Sequence, residues 1–549
     1  MHSAERTAPR DVVIMGGGLA GLTLALQLKQ LDAALDVLVL ERRAHPVPHA
    51  AHKVGESTVE IGAHYFDKVL GLGEHLRGAQ LRKFGFRFFF SEGRRDIDQV
   101  LEIGASRSLT VPSFQLDRGM FENFLGDAVR RAGVHFVDGA LVEQIELAEA
   151  QAGPQPLHRL TWRDAAGEHH TAHTRWLVDA CGRAGLLKRK LGLAEPNTHE
   201  ANAVWFRVAD RIHVDEWSSD PAWRARCDPP ARWRSTNHLV GDGYWVWLIP
   251  LASGSHSIGI VADPARHRLT DFNTFEKAMQ WLQRFQPRLY DALDGRRAKL
   301  QDFAFLRKFS YGCKQLFSPQ RWALTGEAGL FLDPFYSPGS DFIAIGNTYI
   351  ADLIARDRAG ERLDLRAGVY DQIVHSFYDS TLTLYRDQYG IFGDPQVLPL
   401  KVIWDYTYYW GVLSQIFFHG RLTDIPLLGS LRAQFLHGQR LNLAVQDLLR
   451  AWAKVSPHTT RAGHLDHAAL PWFAELNRSL TDTLDDAGFR QRIAQSVRQM
   501  GQLASEIAQL ALACDATLDT APLRAVLADA PADALPREPL LFAAALEAA

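Results

Sequence analysis

The chain has 549 residues, with 60 Lys and Arg against 63 Asp and Glu, so its formal net charge is −3 at neutral pH. This near balance argues against a nucleic-acid-binding protein, because such proteins usually carry a basic surplus. A hydrophobic fraction of 47% and a charged fraction of 22% are ordinary for a globular protein and exclude disorder as the main theme. The length allows two to four domains of about 150 residues each.

The spacing of the cysteines and the lack of long apolar runs indicate the cellular compartment. The four cysteines, Cys181, Cys227, Cys313 and Cys514, lie far apart without a CxxC pair, so we predict neither a disulfide framework nor a metal site. The N-terminal residues lack the apolar core of a signal peptide, and no run of 18 apolar residues occurs. We expect a cytoplasmic enzyme without a transmembrane segment.

A dinucleotide-binding pattern opens the chain. An apolar strand at residues 11–15 leads into Gly16-x-Gly18-x-x-Gly21 and a helix, and a second strand ends at Glu41. The first glycine permits a tight turn, the second lets the backbone approach a pyrophosphate, and the third lets helix and strand pack closely. Glu41 is placed to accept hydrogen bonds from a ribose. The pattern predicts a bound dinucleotide; a glycine-rich turn without a ligand is the alternative.

Two further segments are similar to flavoprotein hydroxylases. Residues 177–183 resemble their Asp-Gly segment, which implies that Asp179 supports the ribityl and pyrophosphate part of a flavin. Arg118 matches their arginine near the FAD phosphates. The resemblance implies FAD rather than NAD, and an α/β, Rossmann-like FAD-binding domain of the para-hydroxybenzoate hydroxylase type. A strand-end aspartate and a surface arginine are the alternatives.

Residues 323–347 resemble the Gly-Asp segment of the same proteins. The resemblance implies that Gly326 and Asp333 contact the cofactor and that the following helix directs its N-terminus at the flavin ring. Glu327 departs from the family pattern, which usually has Asp at this position.

The segment Trp-Val-Trp-Leu-Ile-Pro at residues 245–250 resembles the WxWxIP signature of flavin-dependent halogenases. Side chains two apart in a strand face the same side, so Trp245 and Trp247 form one aromatic wall. In that family the wall lies near the flavin and keeps the organic substrate away from it. The chain is more similar to the halogenases of phenols, pyrroles and polyketides than to those of free tryptophan. Two ordinary core tryptophans are the alternative.

A second match to the halogenases is the Gly-Glu-Ser-Thr segment at residues 55–58, followed by Lys83. The resemblance implies that Lys83 projects from a strand into the tunnel between flavin and substrate, where it directs hypohalous acid. A strand-edge lysine that extends to water is the alternative. The phenylalanines that follow favour a buried strand; they are Phe84, Phe86, Phe88, Phe89 and Phe90.

One departure concerns the substrate. Tryptophan halogenases carry a glutamate just before a Ser-Thr-Gly turn, and Tyr336 occupies that stretch here. The glutamate that positions tryptophan or takes its proton is therefore missing, which argues against free tryptophan as substrate.

The other departures from the halogenase pattern concern the halide-binding site. In the family the backbone N–H groups of this turn bind halide, which here implies Ser337, Gly339 and Ser340. Pro338 has no N–H to donate, so the site would depend on Gly339 and Ser340. Asp341 adds a possible negative charge close by, which disfavours an anion unless its carboxyl points away or is protonated.

The C-terminal region is rich in aromatic residues that could line a substrate pocket or form a helical core. They are Tyr378, Tyr385, Tyr389, Trp404, Tyr406, Tyr408, Tyr409, Trp410, Phe417 and Phe418. Asp405 within this stretch is either a substrate contact or a helix-surface residue. His238 and His256 could assist deprotonation of a phenol or could be structural.

We predict three parts in the chain. Residues 1–195 and 300–355 form the FAD-binding domain, residues 80–115 and 196–300 form a substrate-side sheet, and residues 356–549 form a helical region. The last 35 residues, Ala- and Pro-rich, should end in a short peripheral helix.

The resemblance implies an FADH2- and O2-dependent halogenase of secondary metabolism that generates hypohalous acid at the flavin. The substrate would be an electron-rich aromatic compound, free or tethered to a carrier protein, and the halide chloride or bromide. A separate NAD(P)H-dependent flavin reductase is expected, because no second nucleotide fingerprint occurs. The alternatives are an aromatic monooxygenase of the same fold and a non-catalytic flavoprotein that binds a pigment, a lipid or a carrier protein.

Overall fold

The computed structural model describes residues 8–50, 55–148, 157–459, 462–529 and 539–541. The strands in these ranges are β1 (Arg10–Met15), β2 (Val37–Glu41), β3 (Leu81–Arg82), β4 (Phe86–Phe89), β5 (Leu101–Gly104), β6 (Phe114–Gln115), β7 (His135–Asp138), β8 (Leu141–Glu146), β9 (His158–Arg163), β10 (His169–Asp179), β11 (Ala194–Glu195), β12 (Asn202–Val208), β13 (Thr236–Gly241), β14 (Tyr244–Pro250), β15 (His256–Ala262), β16 (Leu300–Leu306), β17 (Gly312–Cys313), β18 (Trp322–Leu324) and β19 (Gly463–Leu465).

The α-helices of the same ranges are α1 (Leu19–Leu31), α2 (Glu60–His64), α3 (Gly73–Ala79), α4 (Arg118–Arg131), α5 (Leu186–Lys190), α6 (Pro221–Ala225), α7 (Phe275–Phe285), α8 (Pro287–Asp294), α9 (Gly339–Arg358), α10 (Asp364–Leu382), α11 (Val397–Tyr408), α12 (Ser414–Phe418), α13 (Ile425–Ser430), α14 (Arg432–Ala453), α15 (Pro471–Arg478), α16 (Asp486–Cys514) and α17 (Ala521–Ala528). Two π-helical segments, Tyr65–Val69 and Tyr409–Leu413, continue α2 and α11. Within the described ranges, no helix has the length and apolar character needed to span a membrane.

The first sheet is the α/β part of the fold. Strands β7, β2, β1, β10 and β18 pair in parallel, and β9 and β8 extend the sheet by antiparallel pairing. The central strands β1 and β2 are almost wholly apolar and buried, as expected of parallel strands covered on both faces. Helix α1 crosses from β1 to β2, so the predicted βαβ unit is present.

The second sheet has eight strands in the order β16-β12-β15-β14-β13-β4-β5-β19. Its pairs are antiparallel except for β13 with β4 and β5 with β19. It includes more of the chain than the substrate-side sheet that we predicted at residues 80–115 and 196–300. Strand β16 extends past residue 300 to Leu306, and β19 comes from the region that we expected to be helical.

Helices α10 to α17 dominate the C-terminal region, as predicted, and their apolar faces join the main core. Strand β19 attaches this region to the second sheet. Most of the chain after α17 lies outside the described residues, and so does the predicted terminal helix. The fold class is therefore confirmed as α/β with a helical C-terminal region, and the exact three-part division stays a prediction.

Candidate functional site

The three fingerprint glycines occupy three different environments at the end of β1. Gly16 has a φ of +109°, and a Cβ there would lie 2.3 Å from the carbonyl oxygen of Ala180. A Cβ on Gly21 would lie 1.9 Å from the carbonyl oxygen of Gly16, which explains the close packing of α1 on β1. A Cβ on Gly18 would meet no atom within 4 Å. The backbone at Gly18 is thus open to a ligand, as a pyrophosphate requires.

A cavity of about 610 Å³ begins at this turn, which is within the usual size range of ligand sites. It extends from the fingerprint to the second sheet and to the first turn of α9. The residues that we predicted from sequence and that line it are Gly16, Gly18, Glu41, Arg118, Trp245, Trp247, Gly326, Asp333, Ser337, Gly339 and Ser340.

Glu41 and Arg118 carry the charges at the fingerprint end of the cavity. The Glu41 carboxylate accepts hydrogen bonds from the backbone N–H groups of Gly17 at 2.6 Å and Arg43 at 2.7 Å. Each carboxylate oxygen has a further lone pair with which to accept from a ribose hydroxyl. Arg118 begins α4 and pairs with Glu122 at 2.6 Å, and burial lowers its pKa to about 10.

Asp179 does not line the cavity but fixes the loop that does. Its carboxylate accepts hydrogen bonds from the backbone N–H groups of Cys181 at 3.0 Å and Leu187 at 2.7 Å. The side chain is fully buried, and burial raises its pKa. Residues 180–184, which it holds, form part of the cavity wall.

Asp333 lines the cavity, but protein groups surround its carboxylate. Tyr389 donates its hydroxyl hydrogen at 2.6 Å, the Phe335 backbone N–H donates at 2.9 Å, and His199 Nε2 lies 2.7 Å away. Sequence reasoning did not identify His199 as a partner of this aspartate. The arrangement makes Asp333 an anchor of the cavity wall, and direct contact with a flavin stays a prediction.

Glu327, the departure from the family pattern, also lines the cavity and pairs with Arg183 at 3.0 Å. Gly326 before it has a φ of +59°, a conformation that favours glycine. The segment therefore turns sharply at the cavity edge.

Trp245 and Trp247 lie on the same face of β14, with ring centroids 5.6 Å apart, and both line the cavity. Trp247 donates its indole N–H to Ser257 Oγ at 3.1 Å. A Cβ on Gly259 would lie 2.2 Å from the Trp247 ring, so only glycine leaves space for it. Gly259 pairs with Trp247 across β15, and sequence reasoning missed it; its signal was a glycine within an otherwise apolar strand.

The resemblance implied that Lys83 lies within a strand. In the structure it lies between β3 and β4, outside both strands. Its side chain is buried, with only 4% of the residue exposed, which contradicts a lysine that extends to water. Its Nζ donates hydrogen bonds to Ser57 Oγ and to the Thr58 carbonyl oxygen, both at 3.0 Å, and lies 3.4 Å from the centre of the Phe86 ring.

Three titratable groups lie buried in this region. Burial lowers the pKa of Lys83 to about 7, and the carboxyls of Glu60 and Asp341 oppose that shift. Burial raises the pKa of Asp341 to about 7, and it also raises the pKa of Glu60. Burial thus favours the neutral form of all three groups.

The turn before α9 is strained and leaves donors free at the cavity. Tyr336 and Ser337 have φ values of +66° and +53°, which are uncommon for residues other than glycine. The Ser337 N–H donates to the Pro334 carbonyl oxygen at 2.9 Å, so it is already engaged. The N–H groups of Gly339 and Ser340 donate to no backbone acceptor among the described residues, and the buried Ser340 Oγ has no partner there either.

A second cavity, of about 70 Å³, lies beside the first. Its wall is mainly apolar and aromatic, and it comes from α9, α10, α11 and the segments around Ile61 and Phe86; it includes Tyr336, Asp341, Phe342, Phe377, Asp405, Tyr406, Tyr408 and Tyr409. Trp404 and Trp410, in contrast, are fully buried in the core. The aromatic cluster therefore contributes both to a cavity wall and to the helical core, and that this cavity receives a substrate stays a prediction. We call this cavity the small pocket.

The two candidate histidines are both buried in the second sheet. Burial lowers the pKa of both His238 and His256 to about 3. His238 stacks on Phe88 at 4.6 Å and faces the larger cavity, whereas His256 accepts a hydrogen bond from the Ile212 N–H. Neither lines the small pocket, so neither is placed to deprotonate a substrate there.

The comparisons with known proteins agree with this site. Residues 10–251 match the family described as "FAD binding domain". The fold and the cavity thus define an FAD-binding protein.

Similarity to individual proteins indicates which class of FAD-binding protein the chain resembles. Over 439 residues the chain is 26% identical to the flavin-dependent halogenase chlA of Dictyostelium discoideum, covering 73% of this chain and 70% of chlA. It is 25% identical to the 1H-pyrrole-2-carbonyl-(peptidyl-carrier protein) chlorinase of Pseudomonas fluorescens, covering 62% of this chain and 74% of that protein. The crystal structure of halogenase PltM with phloroglucinol and FAD shares the fold, with a TM-score of 0.62 at 19% identity over 91% of this chain and 96% of PltM. The chain is thus similar to flavin-dependent halogenases over most of its length.

Proposed function

We propose that this enzyme uses reduced FAD, O2 and chloride or bromide to halogenate a small electron-rich aromatic ring, and that Lys83 directs the oxidant. The observation that carries the proposal is the position of the Lys83 amine. It contacts Ser57, which lines the larger cavity, and Phe86, which lines the small pocket. Lys83 itself lines neither space, but its amine contacts one lining residue of each.

The larger cavity fits FAD. The open backbone at Gly18 and the N-terminus of α1 would hold the pyrophosphate, Glu41 the ribose, and Arg118 a phosphate. Trp245 and Trp247 would shape the wall beside the flavin ring, with Asp179, Gly326 and Asp333 supporting the wall elsewhere. When bound, reduced FAD supplies, together with O2, the oxidation of halide to hypohalous acid.

The start of α9 would hold the halide. The free N–H groups of Gly339 and Ser340 and the unpartnered Ser340 Oγ all lie at the wall of this cavity, where the positive end of the helix dipole favours an anion. Ser337 is the weaker candidate, because its N–H already has an acceptor.

Lys83 would transfer the halogen. Its lowered pKa leaves a substantial neutral fraction at neutral pH, and a neutral amine reacts with hypohalous acid to give an N–halogen bond and water. The ring carbon of the substrate then attacks the halogen, the electron pair of the N–halogen bond returns to nitrogen, and the ring proton is lost. Burial holds the amine against Ser57 and Phe86, one lining residue of each cavity, which would restrict the site of reaction.

The substrate would be a single aromatic ring. The small pocket is far below the usual volume of a ligand site, so polycyclic rings would not enter without rearrangement. Phloroglucinol, the compound bound in the PltM structure, is a ring of the proposed size. Pyrroles tethered to a carrier protein, the substrates named for two relatives, are the variant to test beside free phenols.

The supply of reduced FAD would come from a separate NAD(P)H-dependent flavin reductase. This requirement and the four free cysteines support the cytoplasmic location that we propose.

Mass spectrometry tests the proposal. The protein would be incubated with FAD, NADH, a flavin reductase, chloride or bromide, and a panel of free phenols, free pyrroles and carrier-tethered pyrroles. We expect a halogen isotope pattern in the product, and its loss in Lys83→Met with FAD binding unchanged. Lys308→Met, at an exposed lysine, is the control. Addition of one oxygen without dependence on halide would instead assign a monooxygenase, and halogenation that persists in Lys83→Met would remove the role of Lys83.

A further inference from the structure

The first turn of α9 separates the two cavities. Ser340 lines the larger cavity, and the next residue, Asp341, lines the small pocket. Asp341 is buried, with 5% of the residue exposed, and lies in a pocket that is otherwise mainly apolar and aromatic. Burial of an isolated charge is energetically unfavourable, so a carboxyl in an apolar wall points to a functional role or to partners that stabilise it.

Two donors fix the orientation of this carboxyl. Asp341 Oδ1 accepts the backbone N–H of Gly62 at 2.8 Å, and Oδ2 accepts the hydroxyl of Tyr409 at 2.7 Å. Each oxygen retains a lone pair, so the carboxylate can still accept a proton or a further hydrogen bond. The donors hold the group in place without neutralising it.

The other carboxyl of the small pocket is different. Asp405 pairs with Lys401 at 2.9 Å and accepts a hydrogen bond from Gln446 at 2.6 Å. Its charge is balanced by a buried ammonium. Among the described residues, no Lys or Arg nitrogen lies within 4 Å of Asp341, so its charge lacks such a direct partner.

We propose that Asp341 is the base that accepts the hydroxyl proton of a phenolic substrate in the small pocket. This inference rests on the proposed function and adds the substrate class and a second catalytic residue. The phenolic O–H bond breaks, the proton passes to a carboxylate oxygen of Asp341, and the electron pair stays on the phenol oxygen. The ring, now more nucleophilic, attacks the halogen held at Lys83. Over the whole reaction a ring hydrogen and hypohalous acid give a carbon–halogen bond and water.

The surrounding charges suit this task. Glu60 on α2, Lys83 before β4, the Tyr409 hydroxyl and Tyr385 after α10 are the titratable groups of the described chain that interact with Asp341. Burial, with a smaller contribution from Glu60, raises the pKa of the carboxyl to about 7, while Tyr409, Gly62 and Lys83 oppose the shift. A base with a pKa near the working pH is effective, because it is largely ionised and still basic.

The test compares wild type with Asp341→Asn, using a free phenol and its methyl ether across a range of pH. We expect Asp341→Asn to lower kcat on the phenol about 100- to 1,000-fold at neutral pH, the usual range for loss of a general base. Most of this loss should disappear near pH 10, where a phenol ionises without help. The methyl ether, which has no hydroxyl proton, should react equally slowly with both proteins.

One control and three further outcomes keep the result decisive. Hypohalous acid, measured by halogenation of a freely diffusing 1,3-diketone, should be unchanged in Asp341→Asn. Equal rates on the phenol at all pH values, with wild type active, would overturn the role of Asp341 alone. A wild type that halogenates neither phenol nor diketone would overturn the proposed function itself. If the variant does not fold, the wild type decides: a phenol that reacts no faster than its methyl ether overturns the inference.

Discussion

The indole N–H of Trp245 donates a hydrogen bond to the hydroxyl oxygen of Tyr389, 3.3 Å away, and that hydroxyl donates in turn to Asp333 over 2.6 Å. The chain of bonds connects β14 of the second sheet to the segment before α9. All three side chains are buried, so none of these groups can exchange its partner for water.

We expect Tyr389→Phe to lower the free energy of unfolding by about 1–3 kcal/mol, because it leaves the Trp245 N–H without a partner and removes one of the donors to Asp333, whose Oδ2 keeps only His199. Chemical denaturation measures the loss. In a double-mutant cycle with Trp245→Phe, the two losses should not add, since both substitutions remove the same hydrogen bond. Additive losses would show that the two residues act independently.

Two glycines of the fingerprint should respond differently to alanine. Gly18→Ala should fold normally, because the added methyl group meets no protein atom within 4 Å, but it should bind FAD at least tenfold more weakly. Gly21→Ala places the methyl group 1.9 Å from the Gly16 carbonyl oxygen and should destabilise the protein before any ligand is added. Thermal unfolding and FAD titration separate the two effects. Equal FAD affinity in Gly18→Ala would argue against the pyrophosphate at this turn.

A glycine-to-alanine substitution at Gly259 tests the packing of the aromatic wall formed by Trp245 and Trp247. Gly259→Ala would push against the Trp247 ring, 2.2 Å from the new Cβ, and should cost about 1–3 kcal/mol of stability. The control is Gly368→Ala in α10, where no atom lies within 4 Å and where alanine favours a helix by about 1 kcal/mol. The two variants should therefore shift the melting temperature in opposite directions.

Acid should weaken the protein through Glu102 in β5. This carboxylate is fully buried between Arg87 and Arg232; burial alone would raise its pKa, but the two guanidinium groups outweigh it and hold the pKa at about 2. Because the folded pKa lies below the unfolded value of about 4.3, the stabilisation is complete above that value and is lost as the pH falls towards 2.

Glu102→Gln should therefore lower the free energy of unfolding by about 3–5 kcal/mol at neutral pH, since it removes the counter-charge of buried Arg87 and leaves buried Arg232 with only the more distant Asp215. The difference from wild type should shrink between about pH 5 and pH 2 as Glu102 of the wild type is protonated. Asp96→Asn, at an exposed pair with Arg94, is the control and should cost less than about 1 kcal/mol. Denaturation at several pH values measures both, and a constant difference would contradict the assignment.

The features predicted from the sequence are those that local sequence encodes. The glycine pattern, the pair of tryptophans two apart and the phenylalanines after Lys83 each specify a backbone or burial requirement within a few residues. Pairings across long distances in the chain were not visible: His199 with Asp333 is separated by 134 residues, and Gly62 with Asp341 by 279. These pairings depend on how α9 docks against the rest of the fold, and one sequence carries no signal of that docking.

The two cavities are lined by largely different helices, and this separation affects how substitutions can change the protein. Helices α10 and α11 contribute to the small pocket through Phe377, Thr381, Asp405, Tyr406 and Tyr408, and they contribute nothing to the larger cavity among the residues that the structure describes. Under the proposed function, substitutions on these two helices would reshape the space for the aromatic ring and leave the lining of the flavin site unchanged. Under the proposed function, substrate preference and cofactor chemistry could then change separately, and among the described α-helices only α9, near its start, lines both cavities.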